Sequence, residues 1–123
     1  MFIARKGGMS FVARNPTKTD DYTEANFTWN GAWHDLDMSA IVPLSAKLVL
    51  ITIRHTWHSV GSSAALRHPD DTNSDGSIVI IQPVGDQCFF HTILIPVKNG
   101  KVSYKQWNGA PQLYMWRVVG WFL

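Results

Sequence analysis

The chain has 123 residues, 46% hydrophobic and 16% charged, with a formal net charge of +2. That length holds one core rather than two, a hydrophobic share this high excludes a disordered chain, and eleven basic residues scattered without a run give no nucleic-acid footprint. The charged share lies well below the roughly 25% of an average soluble protein, so six Trp and six Phe leave apolar surface to cover, and a homo-oligomer is expected. Glu24 is the only glutamate, and strand formers outnumber helix formers.

The start of the chain has neither the charge order nor the apolar length of a signal peptide, so synthesis in a cytoplasm without export is expected. The longest apolar run, 48–53, is far short of the ~20 residues that a membrane-spanning helix needs. Residues 1–26 read as an N-terminal arm or edge strand followed by a loop, outside the core, and 27–123 as the folded domain. Over 27–36, partial alternation around Asn30-Gly31 predicts a short hairpin. Between Lys47 and Trp57 the alternation is clearest: Val49, Ile51, Ile53, His55 and Trp57 share one strand face. After the break at Gly61-Ser62-Ser63, a short strand is expected over 64–68, a loop over 68–76, and a β-branched strand over 77–82. Strands over 89–97 and 101–107 are expected to pair as a hairpin through the type I′ dipeptide Asn99-Gly100. After Asn108-Gly109-Ala110-Pro111, a last, almost wholly apolar strand runs over 113–123. About eight short strands without helical periodicity predict an all-β fold, a single antiparallel β-sandwich of the jelly-roll kind.

Asp71, Asn73 and Asp75, followed by Gly76, match the front half of a calcium-binding loop, where alternate oxygen ligands converge on a hard cation. The position that needs a bidentate carboxylate holds Gln82, so a solvated loop is the preferred reading and calcium the lesser one; no other cofactor is expected. His55 and His58, three apart on a strand, point to opposite faces, as do Cys88 and His91. This argues against a metal pair and against a thiolate–imidazole nucleophile, and leaves Cys88 as packing. His34, Asp35 and Asp37 form a further polar cluster, but the chain lacks the serine-elbow, zinc-protease, P-loop and dinucleotide signatures. No catalytic residue is assigned and no enzyme is expected. Trp29, Trp33, Trp57, Trp107, Trp116 and Trp121 are the interface or ligand candidates. Trp116 and Trp121 are expected on opposite faces of the last strand, with at least one in core or interface, while Trp29, Trp33, Trp57 and Trp107 border loops where an indole face can stack on a sugar.

The stretch Trp33-His34-Asp35-Leu36-Asp37-Met38-Ser39-Ala40-Ile41-Val42-Pro43-Leu44-Ser45-Ala46-Lys47-Leu48-Val49-Leu50 resembles a W-x-D-L-S-x-I-V-P-x-G-A-K-x-V pattern of small bacteriophage β-sandwich proteins. Gly61-Ser62-Ser63, Ala65-Leu66-Arg67-His68 and Val118-Val119-Gly120-Trp121-Phe122 look like that group's serine-rich break, short strand and closing strand. Ser45 departs from the pattern's glycine. The resemblance implies a virion component, a capsid decoration protein or part of a tail or fibre, commonly trimeric, whose partner is a major capsid or tail protein. With it, the sequence predicts a non-enzymatic structural protein that assembles through its sheet faces and is anchored by its arm. The alternative is a lectin-like carbohydrate-binding module using loop tryptophans.

Overall fold

The computed structural model describes residues 8–15, 19–107 and 109–123. Eight strands form: β1 Phe11–Ala13, β2 His34–Asp37, β3 Leu48–Thr56, β4 Ser63–Arg67, β5 Ile78–Ile81, β6 Phe89–Pro96, β7 Lys101–Trp107 and β8 Leu113–Phe122. They make two four-stranded sheets, a first in the order β1-β8-β3-β6 and a second in the order β2-β7-β4-β5, and every neighbouring pair is antiparallel. Every consecutive pair of strands except β4 and β5 crosses from one sheet to the other, and this order is that of a jelly roll, as the strand count and turn spacing predict. No described helix is long and apolar enough to cross a membrane; a single turn of 3-10 helix, Glu24–Asn26, precedes the core.

The central strands are β3 and β8. Along β3, Val49, Ile51, Ile53 and His55 are buried and the residues between them half-buried, so the predicted inward face is the real one, and Trp57 continues it. On β8, Tyr114, Trp116 and Val118 face the same core. The ladder then slips: Ile51 pairs with Val118 and Leu50 with Gly120, which leaves Val119 as an extra residue. A bulge of this kind reverses the alternation beyond it, and Trp121 comes to lie opposite the buried Val49. The expected opposition of Trp116 and Trp121 is therefore corrected: both turn toward the core, Trp116 fully buried and Trp121 packed against its rim.

Along the free edge of β8 the chain is stitched twice. Phe11, Val12 and Ala13 pair with Phe122, Trp121 and Gly120, and Tyr22 exchanges two backbone hydrogen bonds with Trp116. Between these stitches the Val118 N–H would face no backbone partner. The Asp21 carboxylate accepts it at 2.7 Å and also takes a hydrogen bond from Arg14, which supplies its countercharge. Residues 1–7 and 16–18 of the expected arm lie outside the described residues. The rest is not clear of the core, because Tyr22 packs against it and burial, with Asp21 alongside, pushes its phenol up to about 12.

Phe27 ties the two sheets together, packing edge-on to Tyr104 of β7 at 5.0 Å and to Tyr114 of β8 at 4.8 Å. The hairpin expected around Asn30-Gly31 is absent: only 34–37 is a strand, and it pairs with β7, while the Asn30 carboxamide accepts the Ala32 N–H and holds the bend. Asn99 and Gly100 do take the positive φ of a type I′ turn. The strands on either side part at once, because β6 pairs with β3 and β7 with β2 and β4, and only the bridge between Lys98 and Lys101 survives of the predicted hairpin. The turn is a crossing between sheets, packed so closely under Ser39 that a Cβ on Gly100 would meet the Ser39 Cα at 2.9 Å.

Two stability predictions follow from these polar groups. Replacing Asp21 with Ala strands the buried Val118 N–H and uncouples Arg14, and is expected to cost roughly 2–4 kcal/mol in denaturant unfolding; a loss within error of zero would show that the carboxylate does not hold the edge. Conversely, Gln106 is buried with neither amide atom bonded among the described residues, so Gln106→Met should raise stability by roughly 1–3 kcal/mol in the same assay.

Candidate functional site

Burial divides the six tryptophans. Trp57 and Trp116 are 1% and 0% exposed, which removes Trp57 from the loop-bordering set: its indole N–H donates to the Gly109 carbonyl and its ring packs on Trp29 and Tyr114. Trp29 is half-buried against the core, with its indole N–H donating to the Glu24 carbonyl. Trp33 and Trp107 alone reach the outer surface of the second sheet. There the Arg67 guanidinium lies 3.8 Å over the Trp33 ring, and the Lys105 ammonium stands 5.2 Å from the Trp107 ring, so both indoles already have cationic partners.

The histidines form one connected network and several separate contacts. Gln82 is buried, and its amide nitrogen donates to the carbonyls of Val84 and Gln87. That fixes its oxygen as the acceptor facing His55 Nδ1 at 2.8 Å. His55 Nδ1 therefore carries a hydrogen, and its Nε2 accepts from His91 Nε2, 2.8 Å away across a ring pair only 2° from parallel. This pair joins β3 to the edge strand β6, two elements that sequence spacing cannot relate. By contrast His58 lies beyond the end of β3, so the strand opposition expected of it and His55 does not apply; it is exposed and bound to Asp86. His34 faces Asn30, Asp35 accepts from Ser103, and Asp37 accepts the Ser39 N–H, so this expected cluster separates into three contacts. Cys88 is a free, exposed thiol and not the packing residue expected.

In the calcium-like loop the ligand candidates serve the loop itself. Asp71 accepts the Asn73 N–H and the Ser77 hydroxyl, and Asn73 accepts the Asp75 N–H. The Asn73 amide is the main reason that the Asp71 carboxyl lies below the usual carboxylate range. Among the described residues, no group of three His, Cys, Asp or Glu side chains could hold a metal ion.

Two surface features escaped the motif reading. The first is the side of the sandwich closed by β5 and β6, each the last strand of its sheet. Val79, Ile81, Val84, Phe90 and Leu94 are all exposed there, and between Ser77 and Val97 the only Asp, Glu, Lys or Arg is Asp86. The signal was present in the sequence, because both β5 and β6 are apolar on both faces, as an edge strand normally is not. The second is a depression of about 480 Å³ on the outer face of the first sheet, lined by Asp20, Thr52, Arg54, Phe90 and Arg117. Its residues come from three strands and a loop, so no local motif announces it. Comparison with protein-family models and with curated proteins finds no match to either.

Burial is the largest cause holding His55 below its ordinary pKa of 6.5, with His91 adding to it and the Gln82 bond opposing. His55 thus stabilises the fold fully above about pH 6.5, and that contribution is lost as the pH falls below it and the unfolded chain takes up a proton that the folded one resists. The melting temperature should fall from about pH 7.5 to about pH 5.5, and His55→Gln should flatten the decline. A variant as acid-sensitive as the parent would place the titration elsewhere.

Proposed function

We propose that this protein is a non-enzymatic virion structural protein, a capsid decoration or tail and fibre component, that assembles with copies of itself along the β5–β6 side of its sandwich. The observation that carries the assembly is the contrast between the two sides. On one side, β1 is only three residues long, and β2 reads His34-Asp35-Leu36-Asp37; very short edges and charged ones resist pairing. On the other, β5 and β6 present open edges flanked by Val79, Ile81 and Leu94, each about half exposed, which a solitary molecule would leave in water.

The virion assignment draws on the resemblance to phage β-sandwich proteins, whose trimeric habit supplies the expected copy number, and on a jelly roll that presents broad sheet faces. The segment ahead of β1 is the proposed anchor to a capsid or tail protein. The lectin-like alternative has less support, since its surface platforms reduce to Trp33 and Trp107, already faced by Arg67 and Lys105.

Light scattering of the purified chain should give an oligomer, and the double variant Ile81→Lys, Leu94→Lys should be a monomer with unchanged circular dichroism. A monomeric parent at about 100 μM, far above the ~1 μM dissociation constant of a modest interface, would overturn the assembly reading.

A further inference from the structure

We propose that the depression on the outer face of the first sheet is a binding site for a carboxylate-bearing sugar ring, with Arg117 as the carboxylate receptor and Phe90 as the stacking platform. The site follows from the register. Thr52 pairs with Arg117 on one side and Thr92 on the other, and Arg54 pairs with Phe90 and Met115. Side chains two apart on a strand share a face, so Thr52, Arg54, Phe90 and Arg117 project together, and Asp20 reaches over them from the loop before Tyr22.

The charges do not cancel. Arg54 holds one oxygen of Asp20 at 2.6 Å and also touches the Met115 sulfur. Arg117 stands 3.9 Å from the other oxygen, too far for a hydrogen bond, and its Nε is buried without a partner among the described residues. Two guanidiniums therefore share one carboxylate, leaving a single positive charge and an unused planar fork. A guanidinium fork matches a carboxylate through two parallel hydrogen bonds. One surplus charge is balanced by one carboxylate, whereas a phosphate dianion would leave the site negative beside Asp20. Next to this fork the Phe90 ring is 69% exposed, which leaves a face free for the C–H side of a pyranose, and the Thr52 hydroxyl and Asp20 offer partners to ring hydroxyls. A volume of about 480 Å³ falls within the ~300–1,000 Å³ range of small-molecule sites. An anion, an apolar ring face and neighbouring hydroxyls occur together in a uronic or similar acidic sugar.

The test is an NMR titration of the full chain with glucuronate, with glucose and acetate in separate arms. Glucuronate is expected to shift the amide signals of 52–54, 90 and 117 with a dissociation constant of about 1 mM, while glucose and acetate bind at least about tenfold more weakly, a difference of about 1.4 kcal/mol. Arg117→Gln should weaken glucuronate about tenfold or more, and Phe90→Ala should weaken it while leaving acetate unchanged. Both side chains are surface-exposed, so the remaining amide signals should stay in place, and light scattering on both the Arg117→Gln and the Phe90→Ala proteins should match the parent, which separates this site from the assembly surface that Phe90 borders. No response to glucuronate, an equal response to acetate, or glucuronate binding that survives Arg117→Gln would each overturn the proposal.

Discussion

The fold depends on β8 being paired along both edges while carrying an extra residue. Val119 turns Trp121 inward against Val49, and on the opposite edge of β8 the gap between β1 and Tyr22 leaves the Val118 N–H without a backbone partner, which unpaired would cost roughly 1–3 kcal/mol. The chain resolves this with a side chain rather than a strand. Asp21 meets the Val118 N–H, Arg14 neutralises Asp21, and the segments on either side of the break pair with β8 as ordinary backbone. The polar residues ahead of Phe27 thus act as an extension of the first sheet.

What the sequence discloses is local, and what it hides is pairing. The alternation of β3 identifies its buried face because Val49, Ile51 and Ile53 alternate with a face that turns polar at Thr52 and Arg54. Asn99-Gly100 identifies a turn because few other dipeptides accept two positive φ values. The same dipeptide does not reveal whether the flanking strands stay together, and in a jelly roll consecutive strands often belong to different sheets; β6 gains more by pairing eight residues with β3 than by folding back on β7. The tryptophans misled for a related reason. A loop-adjacent position says nothing of direction, and the aromatic cluster around Phe27 draws Trp29, Trp57 and Trp116 inward.

The polar sites were less legible still. His55 and His91 are separated by 36 residues, and their contact exists only because β3 and β6 are neighbours. The outer depression likewise collects one residue from β6, two from β3, one from β8 and one from a loop. Sequence shows that Arg54, Arg117 and Asp20 exist; register alone shows that two cations lean on one anion. The exposed apolar edge strands are the exception, since their lack of charge can be read directly.

The unequal edges of the sandwich also set the geometry of growth. A β-sandwich with two open sides would let each copy offer an edge at one end and accept one at the other, which extends into a filament without limit. Here β1 is only three residues long and β2 carries two aspartates, so in the proposed assembly the β5–β6 side alone makes the contact. In the proposed assembly, contacts made through a single side use it up, and the particle closes with a fixed number of subunits.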